Sequence, residues 1–325
     1  MMFKRMVVLA ALAVGFAAVA VGYGWSQSYP AKPLRLILPY TAGSPNDVIA
    51  RLVAPGLSSR LGQTVVVDNR AGGGTSIGLR AVMSAEPDGY TLLFSNTPTH
   101  VIAQSVVKGF SYDPINDFVP IATFGASTLA LVVPPSIPAN SLPEFVAYAK
   151  AHPATLNFGF GQGTLPHLVG EALLVATGVD MGRIPYRGGA QALTDMLGGR
   201  IHMLLSATAT LTPLVRQGKV KALAVSSPRR HRDLPEVPTM AESGFPALTT
   251  VTYYGILGPV GLPADVVGRL NSDANEILKS SELQASLLKV GFEPHGGSPQ
   301  DLAALISSQL QQWAPIVKST GFQMD

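Results

Sequence analysis

Short apolar runs alternate with amphipathic stretches along most of this chain. Leu34–Pro39 is one such run and predicts a buried strand, and the amphipathic Val48–Leu61 behind it predicts a helix. Thr64–Asp68 and Tyr90–Ser95 read as further strands, with a helical segment at Ser76–Ala85 between them. Strand, helix, strand, helix, strand at this spacing implies a mostly parallel sheet covered by helices. The grammar restarts at Thr128–Val133, a strand, followed by a helix at Leu142–His152, a short strand at Leu156–Phe158 and a helix at His167–Thr177. Arg183–Pro185, Gly188–Leu197, Ile201–Leu205 and Lys221–Ser226 continue it. After Pro246 come a strand at Thr249–Leu257 and two helical stretches, Pro263–Ser280 and Ser298–Thr320. The last helix is expected to pack back on the first half. The chain crosses out near Ile121–Leu131 and returns near Pro246–Gly255. These crossings predict a bilobed α/β clamp, with residues 27–125 and 250–325 in one lobe and residues 126–249 in the other.

The first residues follow a different pattern. Lys4 and Arg5 precede an uncharged run, Met6–Gly24, of 19 residues. Ala18-Val19-Ala20 then fits a small-x-small cleavage pattern, and the polar Ser26-Gln27-Ser28 lies beyond it. This layout predicts a secretory signal peptide at residues 1–26 and an exported, periplasmic mature chain. A retained membrane anchor of that length is the competing reading.

Composition narrows the classes. The 325 residues include no cysteine, which excludes disulfides, thiolate metal sites and a cysteine nucleophile. Charged residues are only 13% of the chain. With Lys4 and Arg5 set aside, 21 basic residues balance 20 acidic ones, so there is no electrostatic case for a nucleic-acid partner. The six histidines show no metal-ligand spacing, and neither a phosphate-binding loop nor a dinucleotide fingerprint is present. No metal or other cofactor is expected. The cluster Arg229-Arg230-His231-Arg232, beside Pro228 and Asp233, reads as a solvated loop.

In open α/β sheets, ligands sit beyond the carboxyl ends of the strands. The turns after Pro39, Phe94 and Phe158 are rich in Gly, Ser, Thr or Asn and contain no Lys or Arg. A helix start presents unpaired N–H groups and about half a positive charge, so such turns hold anions without a charged side chain. Thr41–Asp47 and Gly159–Thr164 have this composition, and Ser95-Asn96-Thr97 adds a third polar set. The alternative is that the glycines only permit tight connections. Gly74-Thr75-Ser76-Ile77-Gly78 matches a nucleophile elbow, which would make Ser76 a hydrolase nucleophile with His167 as a candidate partner. The strand ahead of it ends near Asp68, too early for a true elbow.

A series of segments resembles the Bug-type receptors of tripartite tricarboxylate transporters. In the first lobe these are Tyr29-Pro30 with Lys32-Pro33, Pro39–Gly43 with Asp47 and Ala50-Arg51, Val67–Gly74, Pro87–Leu92 and Asp117–Pro120. The second lobe adds Pro166-His167-Leu168 with Gly170-Glu171, Pro185–Ala190 with Asp195, Gly218–Val225, and Leu234–Thr239 with Glu242-Ser243-Gly244. The resemblance spans almost the whole mature chain. It implies a two-lobed periplasmic binding protein fold of type II, with two crossovers, closing as a monomer on a small organic carboxylate. It also implies delivery to the membrane subunits of a tripartite transporter, or else service as the capturing subunit of a sensor system. The site residues it implies are Tyr40, Thr41, Ala42, Gly43, Ser44 and Asp47. Facing them are Gly161, Gln162, Gly163 and Thr164, with Ser95, Asn96 and Thr97 alongside.

Four positions depart from the family pattern. Ser44 replaces a usual glycine, Asn46 a common Thr or Ser, Phe160 a frequent Ser, and Ser206 a frequent acid. Phe160, Tyr40, Tyr253 and Tyr254 are expected either to wall the cleft or to pack in the core. The first case would bias the site toward a flat, aromatic acid.

Overall fold

The computed structural model describes residues 29–106, 110–162, 164–186 and 188–320. The expected signal peptide and Gly163 lie outside the described residues. By contacts the chain divides into Met1–Ala31 and Lys32–Asp325, and the second unit holds every element described below.

Eleven strands form two sheets among the described residues. The first contains β1 (Leu34–Leu38), β2 (Val65–Asn69), β3 (Thr91–Asn96), β4 (Phe118–Ser127), β10 (Thr252–Pro259) and β11 (Glu293–Pro294). Their order is β11-β4-β10-β3-β1-β2. The second contains β5 (Leu129–Val133), β6 (Asn157–Gly161), β7 (Gly182–Tyr186), β8 (Met203–Ala207) and β9 (Lys221–Val225), in the order β7-β6-β8-β5-β9. β1 pairs in parallel with β2 and β3, and β6 with β7 and β8. The carboxyl ends of β1, β2 and β3 therefore lie together at one end of the first sheet, and those of β6, β7 and β8 at one end of the second. β4 and β10 are antiparallel partners in the first sheet, as β5 and β9 are in the second. The chain passes from the first sheet to the second at Ser127–Leu129 and returns through residues 226–251.

The longer helices are α1 (Pro45–Leu61), α2 (Ser76–Met83), α3 (Leu142–Ala151), α4 (Leu165–Thr177), α5 (Gly189–Leu197), α6 (Thr208–Arg216), α7 (Ala264–Ile277), α8 (Ser281–Lys289) and α9 (Pro299–Thr320). Several boundaries differ from those expected. α1 starts at Pro45 because the Ser44 side chain caps it, accepting the Asp47 N–H at 3.3 Å. β6 runs on to Gly161, which makes the Gly-rich turn shorter than its composition suggests. β4 and α6 escape pattern reading for opposite reasons. β4 is buried along most of its length and so lacks alternation, while α6 is rich in threonine and interrupted by Pro213.

α9 packs back on the first lobe as expected, and also reaches the second. Its buried face is Leu302, Ile306, Gln309, Trp313 and Val317. That face packs against β4 in the first lobe and also against α4 in the second. One apolar core consequently runs from Ile37 and Leu93 through Trp313 to Phe158 and Leu168. A separate core, with Val132, Met196 and Leu211, covers the other side of the second sheet. Among the described residues, no helix is long and apolar enough to cross a membrane.

Candidate functional site: two buttressed turns at the mouth of the gap

Leu36–Pro39 are buried, and the chain surfaces immediately afterwards, with Thr41, Ala42 and Gly43 all exposed. Gly43 adopts φ +80° with nothing within 4 Å of where a Cβ would stand, so glycine serves the backbone turn here and not a close contact. Asp47, only 3% exposed, pins this turn from beneath. One carboxylate oxygen accepts the Gly43 N–H and the Arg51 Nε–H, each at 2.9 Å, and the other accepts Asn69 Nδ2–H at 2.9 Å. Asn69 Nδ2 also donates to the Tyr40 carbonyl at 3.0 Å, while its Oδ1 accepts Arg51 Nη2–H at 3.0 Å. The bond from Arg51 holds the Asp47 carboxyl down to about 2, with the Gly43 and Asn69 bonds adding to it against the cost of burial. Asp47 is saturated by its own turn. It acts as a positioning residue and leaves the exposed surface of the turn to main-chain groups.

Tyr40 ties the turn to the end of β3. Its hydroxyl donates to Asn96 Oδ1 at 3.2 Å and accepts from Thr99 Oγ1 at 2.9 Å. Burial pushes that hydroxyl's pKa up, with the two hydrogen bonds opposing. Asn96 Nδ2 reaches Asn46 Oδ1 at 2.6 Å, so the departure at Asn46 has a structural use. The expected trio Ser95, Asn96 and Thr97 stands behind the turn, at 1%, 3% and 0% exposure. Ser95 Oγ neighbours the Tyr253 hydroxyl inside the lobe, and neither makes a well-formed hydrogen bond. Thr97 Oγ1 donates to Gln309 Oε1 at 2.8 Å and accepts the Tyr253 N–H at 3.3 Å. Gln309 Nε2 then donates to the Val251 carbonyl at 3.0 Å, in the returning segment.

The second turn is held mainly by backbone. Gly161 is buried, and a Cβ there would meet the Gly189 nitrogen at 3.3 Å. Gln162 is exposed, and its N–H donates to the Tyr186 carbonyl at 3.0 Å. Thr164 caps α4: its hydroxyl donates to the Gly161 carbonyl at 2.7 Å and accepts the His167 N–H at 3.4 Å. Gly163 lies outside the described residues. The approach of Gly161 to Gly188 and Gly189 brings the start of α5 beside that of α4. The sequence reading did not nominate α5 for the site, although Gly188-Gly189 ahead of a helical stretch is the same signal that nominated Gly161–Thr164. Asn69, Arg51 and Thr99 were also missed.

The aromatic residues resolve to core packing. Phe160 is 5% exposed and stacks on His167, with ring centroids 3.6 Å apart and planes 5° apart. Tyr253 and Tyr254 are 0% and 7% exposed. Only Tyr40 is partly open, and its hydroxyl is engaged, so the expected bias toward aromatic acids loses its basis. Burial first, and Arg183 second, hold the His167 pKa down to about 4. Glu171 lies 3.8 Å from His167 Nε2 but is taken by Arg183 at 3.0 and 3.1 Å, which cancels most of its pull on the imidazole. The hydrolase alternative also fails on placement. Ser76 opens α2 after a turn at Gly73–Thr75, in the first lobe, while His167 belongs to α4 in the second. Among the described residues, no three His, Asp or Glu side chains gather as metal ligands would.

Among the described residues, the turns at the starts of α1 and α4 carry no Lys or Arg, and what they expose are main-chain groups and hydroxyls. Such a surface suits carboxylate oxygens, held directly or through water. Residues 49–322 match the family described as tripartite tricarboxylate transporter family receptor. Protein BugT of Bordetella pertussis is 33% identical over 301 residues, covering 92% of each chain. A solved structure of Rpa4515 from R. palustris with adipate is 32% identical, with a TM-score of 0.76, over 91% of this chain and 99% of that one. MatC from Rhodopseudomonas palustris, with bound malate, is 27% identical with a TM-score of 0.74, over 89% and 100%.

Proposed function

We propose, from the premise that this chain belongs to the tripartite tricarboxylate transporter receptor family, that it captures a small organic carboxylate between its lobes and delivers it to that transporter's membrane subunits. Members of this family are periplasmic solute-binding receptors, and the protein is a receptor of this kind, not an enzyme. The observation that carries the proposal is the state of Asp47. Its carboxylate is consumed beneath the turn, so Thr41–Ser44 offer a ligand only uncharged donors over the start of α1. The proposed contacts are the exposed Thr41, Ala42 and Gly43 with the half-buried Ser44 on one side, and Gln162, Gly163 and Thr164 on the other. Tyr40, Asp47, Asn96 and Gly161 hold these in place, and Ser95 and Thr97 act only through the interior. The two lobes divide as 27–125 with 250–325 and 126–249. An amino-terminal signal at 1–26 directs a monomer to the periplasm.

Aliphatic dicarboxylates fit this reading, since adipate and malate occupy two relatives. The test is a thermal and calorimetric titration of residues 27–325 with adipate, malate, citrate and benzoate. An acid present at a hundred times its dissociation constant stabilises by about 2.7 kcal/mol, which raises the melting temperature by several degrees. A response to at least one aliphatic acid is expected. No response to any of them, or binding that survives loss of the Thr41–Ser44 turn, would overturn the proposal.

A further inference from the structure

We infer that a contact between the lobes on the far side of the hinge, centred on His231 and Glu293, holds the cleft open and so sets its affinity without touching the ligand. This inference rests on the proposed capture by lobe closure. In the first sheet, β3, β1 and β2 lie on one side of the crossing strands β4 and β10, and β11 lies on the other. In the second sheet, β6 and β7 lie on one side of β5, and β9 lies on the other. Both turns of the site follow strands of the first kind. His231 follows β9, and Glu293 opens β11. A rotation that brings the two turns together therefore draws His231 and Glu293 apart.

The two residues meet in this structure, in which Thr41–Gly43 and Gln162 are exposed. His231, 7% exposed, places Nε2 3.0 Å from Glu293 Oε1. The Asp233 N–H donates to His231 Nδ1 at 3.2 Å, which puts the ring proton on Nε2, the nitrogen facing Glu293. Thr208 Oγ1 lies 3.2 Å from the same nitrogen and fixes the ring within the second lobe. Beside this pair the backbone of Gly291, ahead of β11, rests against Ala209 of α6, and any side chain on Gly291 would occupy Ala209's place. A cavity of about 660 Å³ adjoins the pair, with walls from both lobes that include Ala126, Thr128, Arg229, Gln284 and His295. The lobes here touch at points with open space between, which is a surface able to part.

A contact made only when the cleft is open adds to the free-energy difference that ligand binding must overcome. Removing it raises the population of the closed form, and the apparent affinity rises by the same factor. The imidazole and the carboxylate lie within ion-pair distance, and Glu293 is 45% exposed at its side chain, so the expected factor is about three to ten.

The absence of cysteine makes the test clean. Nitroxide labels at Val66→Cys and Leu197→Cys, exposed positions on the two lobes, report the distance across the mouth. In Glu293→Ala without ligand, the distance distribution is expected to shift toward the closed form. Its dissociation constant for whichever of adipate and malate binds the parent protein falls about three- to tenfold. Ala209→Phe, which wedges the far side apart, shifts both in the same direction. Glu293→Gln, which keeps an oxygen for Nε2–H, stays within about twofold of the parent. Should Glu293→Ala fail to melt cooperatively, Ala209→Phe carries the same comparison. Unchanged ligand-free distances and affinities in correctly folded variants would overturn the inference and leave solute capture standing. If neither acid closes the parent protein, solute capture itself is in question, and the ligand-free distances still decide the far-side contact.

Discussion

The two turns of the cleft reach a similar chemistry by different means. Thr41–Ser44 is held by side chains arriving from three elements: Asp47 and Arg51 on α1, Asn69 on β2, and Asn96 on β3 through Tyr40. Gly161–Thr164 is held by its own main chain, by the Thr164 cap and by the neighbouring backbone of Gly188 and Gly189. A network of side chains loosens when its one buried charge is removed, because the others lose their shared acceptor. Backbone packing has no such single member, and its weak points lie beneath the turn, in Phe160 and His167.

The sharpest way to break this contrast is Asp47→Ala. It strands the Gly43 N–H, Asn69 and Arg51 together, with a cost of roughly 3 kcal/mol in chemical denaturation and more than tenfold in carboxylate affinity. If the first turn is built as described, Thr164→Ala costs the second turn only about 1 kcal/mol by the same measurement. Equal losses from the two would erase the distinction.

Acid gives the next test. His167 is held neutral, with its pKa lowered to about 4 by burial and Arg183, so its contribution is complete above its ordinary pKa near 6.5 and lost as pH falls toward 4. Asp47, lowered to about 2, contributes fully above about pH 4 and is lost only below it. Urea midpoints between pH 7 and 4 should therefore fall less steeply in His167→Gln than in the parent. Part of the remaining slope belongs to His100 in the first lobe, which complete burial also lowers to about 4, and part to His202, which burial lowers as well. An unaltered slope in His167→Gln would place the acid sensitivity elsewhere.

The smallest expected effect comes from Tyr40→Phe. It removes the bonds to Asn96 and Thr99 but keeps the ring and the backbone bond to Asn69. A loss of about 1 kcal/mol is expected, with a two- to threefold loss of affinity by calorimetry. A loss as large as that of Asp47→Ala would mean that the Tyr40 hydroxyl contacts the ligand itself.

Much of this was legible along the chain. Period-two and apolar runs marked both sheets, and the Gly, Ser and Thr turns after β1 and β6 marked the gap, because strand burial and helix starts leave local signatures. The partners that hold the first turn were not legible as partners. Arg51 stands one helical turn after Asp47, a spacing that allows an ion pair, but nothing in the position of Asn69 says that it serves the same carboxylate. The aromatic residues show the same limit. Composition offers Phe160 and Tyr253 equally to a cleft or to a core, and only the stack on His167 and full burial decide.

By itself, then, the sequence determined the α/β class, the two crossovers, the uncharged character of the ligand turns and the family. The tertiary structure alone decided which polar residues of these turns are exposed, that Asp47 looks inward, that α9 packs on both lobes, and that His231 meets Glu293. The physical reason is range. Strand burial, helix caps and turn conformations depend on residues within a few positions of one another, whereas those pairings join residues tens to hundreds of positions apart, and only the packed chain brings them together.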